Sequence, residues 1–141
     1  MDPNNLKDHI LIIRSAVAGF LFFYLFLGLI MIEAIGLTVG WNSAVLPGLL
    51  GSGTLSALIF IAATPIAMRV TSSAVGLLYV RTLIRLASAL LVGQSGVFLS
   101  FMLDAGITPG LLGGGSAILM LVVGVWPRHS TLSRYANRND A

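Results

Sequence analysis

The sequence contains no cysteine. Disulfides, thiolate chemistry and cysteine-ligated iron–sulfur clusters are therefore excluded. Charge is scarce as well: 9% of the 141 residues are Asp, Glu, Lys or Arg, against about 25% in soluble domains. So few charges cannot clothe a water-facing surface. Histidine occurs only as His9 and His129, near the two ends. Two imidazoles without nearby acids or thiols make a poor metal set, and neither sits where it would ligate a mid-membrane haem. No Ser/His/Asp set and no paired carboxylates are visible. The expectation is a protein that is not an enzyme, with no catalytic or metal-ligating residues and no cofactor.

What the chain does have is apolar. Hydrophobic residues make up 57% of it, and mean hydropathy is +0.97. Four runs, at about 13–37, 45–68, 82–103 and 109–126, reach the roughly 17–25 residues that cross a bilayer as a helix. Helices are required, because an open sheet in lipid leaves backbone groups unpaired and four strands cannot close a barrel. The first run has a basic lead-in like a signal peptide. It is too long for an h-region, however, and no small-x-small cleavage site follows near Glu33, so a retained membrane helix is expected.

The charges predict orientation. Lys7 precedes the first run and Arg14 lies at its start; Arg69 and Arg81 lie between the second and third, and Arg85 at the start of the third. Arg128, Arg134 and Arg138 follow the fourth. The opposite loops, near 38–44 and 104–108, carry no cation. The positive-inside rule then makes both termini cytoplasmic in a multi-pass integral membrane protein. Trp41 and Trp126 fall near opposite interfaces, as aromatic-belt residues do.

One phrase is written twice. Residues 47–53 read PGLLGSG and residues 109–115 read PGLLGGG, 62 positions apart. Pro65 and Pro127 each follow 18 residues after the prolines that open those phrases. The first and third runs match at an offset of 71: Arg14 with Arg85, and Met31-Ile32-Glu33-Ala34 with Met102-Leu103-Asp104-Ala105. Matching prolines, arginines and acids predict a duplicated helical hairpin. The copies cover about 10–68 and 78–127, with a short basic tail at 128–141. Both copies start on the same side, so their pseudo-twofold axis should run along the membrane normal. The fold class expected is all-α: four transmembrane helices as two tandem hairpins in a single domain.

The repeated phrase has a physical use. Proline suits a first helical turn, and Thr108 is an expected N-cap before Pro109. Small residues four apart let membrane helices approach closely: Gly48, Ser52 and Ser56 in the second run, Gly110 and Gly114, or Gly113 and Ala117, in the fourth. The second and fourth helices are therefore expected to be the tightly packed ones. The face bearing Phe20, Phe22, Phe23, Tyr24 and Phe26 is expected to meet lipid or a partner. A phosphate-loop reading fails, since no Gly-Lys-Ser/Thr follows the glycines.

Three polar residues are candidates for ion or partner contact. Glu33 and Asp104 lie 19 residues beyond Arg14 and Arg85, about 28 Å along a helix. That nearly equals the hydrocarbon thickness of about 30 Å, so both carboxylates are expected at the outer interface. Gln94 lies deep in the third run, where an interhelical hydrogen bond is its simplest role. The stretch from Leu25-Phe26-Leu27-Gly28 to Glu33-Ala34-Ile35-Gly36 is similar, over about a dozen residues, to the first helix of small multidrug resistance transporters. That resemblance implies an ion-coupling role for Glu33. It stops there: the third run lacks the tryptophan of that family, and the chain before Tyr24 is longer.

Arg81 and Arg85 share a helix face at i, i+4 spacing. With Arg128, Arg134 and Arg138 they are expected to meet anionic lipid headgroups. Nucleic-acid binding has no support. The functional expectation is a non-catalytic accessory or structural subunit of a larger membrane complex. Its partners would be lipids and either other membrane subunits or further copies of itself. The alternative is a homo-oligomeric small transporter or channel, with Glu33 and Asp104 at an external cation site.

Overall fold

The computed structural model describes residues 3–126. It is all-helical: α1 (Pro3–Ile35), α2 (Val45–Val70), α3 (Ala74–Met102) and α4 (Thr108–Met120), the last continued by a π-helical turn (Leu121–Val125). Four helices are long and apolar enough to cross a membrane. They alternate in direction between a basic end, carrying Lys7, Arg14, Arg69, Arg81 and Arg85, and an opposite end carrying Glu33 and Asp104.

The helices outrun the apolar stretches at the basic end. α1 begins ten residues before the expected position 13, and α3 eight before the expected position 82. Long basic side chains keep their heads in water while their stems stay on the helix. Charge therefore ends a hydropathy window without ending a helix. α3 starts where Ser73 caps it, its hydroxyl accepting from Gly76 N–H at 3.0 Å.

The opposite end is closed by two left-handed glycines. Gly36 (φ 75°) terminates α1, its N–H reaching Ile32 O at 2.9 Å, as C-terminal glycines do. Gly106 (φ 64°) pairs with Val39 in an isolated antiparallel bridge. A Cβ there would run into the Thr38 carbonyl, so the two loops meet through a position only glycine fills. Ile107 N–H donates to Thr38 O at 3.0 Å and completes the clasp.

α3 is the spine. It packs along its length on both α2 and α4, whereas α2 and α4 scarcely touch and α1 leans on α3 and α4. Of the most apolar window of each helix, 39% is buried in α3, 33% in the α4 segment, 17% in α1 and 11% in α2. The expectation that the second and fourth helices pack tightly is thus modified: each packs on the third rather than on the other. The two expected hairpins are unlike in packing, since α3 and α4 close on each other while α1 and α2 form no packed pair.

Candidate functional site

α3 and α4 meet backbone to backbone. A Cβ on Gly113 would lie 2.7 Å from the Gly96 Cα and 2.7 Å from the Val92 carbonyl oxygen. One turn further along α3, Ser100 Oγ accepts from Gly110 N–H at 2.8 Å. That bond satisfies a donor left open at the start of α4. Thr108 is therefore not the N-cap: it is already helical, and Ile107 at the cap position makes no side-chain bond. The α3 face Val92, Gly96, Ser100 and the α4 face Pro109, Gly113, Ala117 are all buried.

The five small residues singled out from sequence fall in different places. Ser56 is buried, and its hydroxyl donates to Ser88 O at 2.6 Å, fastening α2 to α3. Gly48 accommodates Leu99, whose methyl groups would sit 3.0 Å from an added Cβ. Gly110 leaves room for the Met31 side chain of α1. Ser52 bonds within its own helix, to Leu49 O at 3.3 Å. Gly114 departs from expectation: an added Cβ would meet nothing within 4 Å. Its neighbour Gly113 makes the contact, because the α3 surface selects one face of the glycine run. Gly114 instead lines an apolar groove of about 320 Å³ between α1 and α4, with Gly28, Met31 and Ile118.

α1 carries a mixed face. Phe22, Phe23 and Phe26 point outward, Phe20 is half-buried, and Tyr24 is buried. The Tyr24 ring enters a notch made by Gly93, where any Cβ would collide with it. Its hydroxyl lies 3.4 and 3.5 Å from the Ala89 and Leu90 carbonyl oxygens. At the basic end His9 Nδ1 and the Tyr79 hydroxyl are 2.9 Å apart, with the rings edge to face.

Arg85 is turned inward, which corrects its assignment to lipid headgroups. Its guanidinium donates to Gly124 O at 2.7 Å and lies 4.5 Å from the Phe60 ring centroid. The π-helical turn contributes: Trp126 N–H bonds to Leu121 O rather than to the next carbonyl along. A Cβ at Gly124 would strike the Phe60 ring. Glycine there lets ring, guanidinium and carbonyl meet, joining α2, α3 and the end of α4. Arg81 is half-buried beside this site, lining a small pocket with Thr82, Arg85 and Trp126. Arg14 lies 6.0 Å from the Trp126 ring centroid. Arg128, Arg134, Arg138 and His129 lie outside the described residues.

Glu33 and Asp104 are both exposed at the opposite end, Asp104 just past α3 with φ 46°. Among the described residues, no group of three or more His, Asp or Glu is arranged to hold a metal. Gln94 is exposed on the outer surface of α3, and among the described residues it makes no hydrogen bond. It lines an open groove of about 560 Å³ between α2 and α3.

Sequence reasoning missed the Gly93 notch, the Gly96–Gly113 crossing and the inward Arg85. The crossing had a signal, since Gly96 and Ser100 are themselves small residues four apart. Comparison with protein-family profiles, with curated proteins and with solved structures finds no match to this chain.

Proposed function

We propose that the chain is a multi-pass membrane protein, with both termini cytoplasmic, that serves as a non-catalytic accessory or structural subunit of a larger membrane complex. The observation carrying this reading is how the interior polar side chains are used. Ser56 and Arg85 donate to carbonyls on neighbouring helices, Ser100 accepts a helix-start N–H from the next, and the Tyr24 hydroxyl lies close to two carbonyls across a helix boundary. These side chains hold helices together, while the buried hydroxyls of Thr82 and Ser88 bond within α3, to Leu78 O and Arg85 O. The outer surface, in turn, offers long apolar faces such as Phe22, Leu25, Phe26 and Leu29 of α1, suited to lipid and to other membrane helices.

The orientation follows from the basic end, because positive charge is retained on the cytoplasmic side. We further infer that the chain arose as a duplicated hairpin whose copies diverged in packing, α3–α4 closing where α1–α2 stayed apart. Purification in mild detergent followed by mass measurement tests the role. Unlike chains at a fixed ratio are the expected result; a chain that purifies alone or only with copies of itself overturns it.

One observation favours the second reading, a homo-oligomeric transporter or channel with an external cation site. The Val39–Gly106 bridge ties together the two loops that follow Glu33 and Asp104, so both carboxylates belong to one clasped end.

A further inference from the structure

We propose that α3 is a dimerisation helix, along which two copies of this chain pair with their Gln94 carboxamides hydrogen-bonded to each other. The first observation is depth. Gln94 stands nine residues from Arg85 and ten from Asp104, about 13 and 15 Å along the helix. In a membrane span that is the middle of the hydrocarbon, where an unmet amide is costly and no lipid headgroup reaches. Yet the side chain is exposed and makes no bond within the described chain.

The second observation is spacing. Ala87, Leu91, Gln94, Phe98 and Phe101 follow one another at alternating steps of four and three. Leu91 is half-buried and the other four are exposed. A mean step of 3.5 is the seam of two helices in left-handed contact. A lone polar residue within such a seam fixes register and the number of chains. The third is room: the groove of about 560 Å³ beside the seam, floored by Gly48, Leu90 and Leu99, gives a partner's aromatic side chain a place to enter.

A second copy is the occupant these features fit. A carboxamide carries both donors and an acceptor, so two of them across a twofold axis satisfy each other. With the cations of the chain at one end of its spans, copies insert with the same orientation. An axis along the membrane normal therefore brings the two Gln94 residues together at one depth. The pairing does not depend on the accessory role, since unlike subunits would bind other faces.

The cysteine-free chain makes the test direct. Single cysteines are introduced on the seam, as Ala87→Cys and Phe98→Cys, and off it, as Leu58→Cys on α2 and Leu119→Cys on α4. The variants are oxidised in native membranes. Cross-linked dimer is expected at 87 and 98 and not at 58 or 119. Dilution into lipid should show dimerisation about tenfold weaker in Gln94→Leu, two reciprocal bonds of about 0.7 kcal/mol each giving that factor. Phe98→Ala, which leaves the amide in place, should also weaken it. Unchanged association in Gln94→Leu overturns the proposal. So does cross-linking at 119 in place of the seam. A complex of unlike chains with no seam cross-link also overturns the pairing and leaves the accessory-subunit reading standing.

Discussion

Gly113→Ala should destabilise the protein while Gly114→Ala, one residue on, should stabilise it. At position 113 the new methyl carbon would lie 2.7 Å from the Gly96 Cα, whereas carbon–carbon contacts settle at about 3.5–4.0 Å. The opposing atoms are backbone, and no rotamer change moves them aside. α3 and α4 must separate by about 1 Å at the crossing, which strains the Ser100–Gly110 bond one turn away. Overpacking of this kind costs about 1–3 kcal/mol, and backbone atoms place it at the upper end. The better helix propensity of alanine offsets about 1 kcal/mol, leaving about 2 kcal/mol of net destabilisation. At position 114 a Cβ meets nothing within 4 Å, so only the propensity gain of about 1 kcal/mol remains. Unfolding by SDS titration in mixed micelles, followed by circular dichroism, resolves such differences. The crossing is refuted if Gly113→Ala is as stable as the wild type, or if the two variants shift the midpoint in the same direction.

Arg85→Lys should lower stability in the same titration by about 1–2 kcal/mol, because an ammonium replaces the planar stack on Phe60 and the directed bond to Gly124 O. Adding Phe60→Leu should then cost less than it does in the wild type, and strict additivity would show that ring and guanidinium do not interact. Ser72→Cys, in the exposed connection between α2 and α3, should react with an impermeant maleimide only in inverted vesicles; labelling from outside intact cells reverses the topology. Neutralising both carboxylates, as Glu33→Gln with Asp104→Asn, should leave the unfolding midpoint nearly unchanged, since exposed charges contribute little. Loss of saturable, pH-dependent cation binding in that double variant would instead promote the transporter reading.

The existence of four helices was legible because apolar runs of membrane length admit no other backbone-satisfying structure. Their pairing was not. Glycine at positions 113, 114 and 115 offers several faces with four-residue spacing, and only the position of Val92, Gly96 and Ser100 on α3 selects Gly113 over Gly114. Small residues announce that some helix comes close without saying which one. Arg85 was obscure for a different reason. A basic residue at the end of an apolar run ordinarily turns to water. Its inward turn depends on a carbonyl offered by a π-helical turn and on the missing side chain at Gly124, and no local pattern encodes that pair. Gln94 stood out from sequence as a polar residue deep in a span. That it faces away from its own bundle is a property of the packing alone.

The spine position of α3 bears on how the protein is made. A chain synthesised from its N-terminus presents α1 and α2 first, and these two have almost no surface for each other. Until residues 74–102 emerge, neither has an extensive packing partner among the described residues. The Gly93 notch that receives Tyr24, the Ser88 carbonyl that receives Ser56 and the Leu99 side chain that fills the space over Gly48 all belong to the third helix. Assembly is therefore withheld until more than half of the sequence has been translated. During that interval the apolar surfaces of the first two helices are open to any other apolar partner that can hold them.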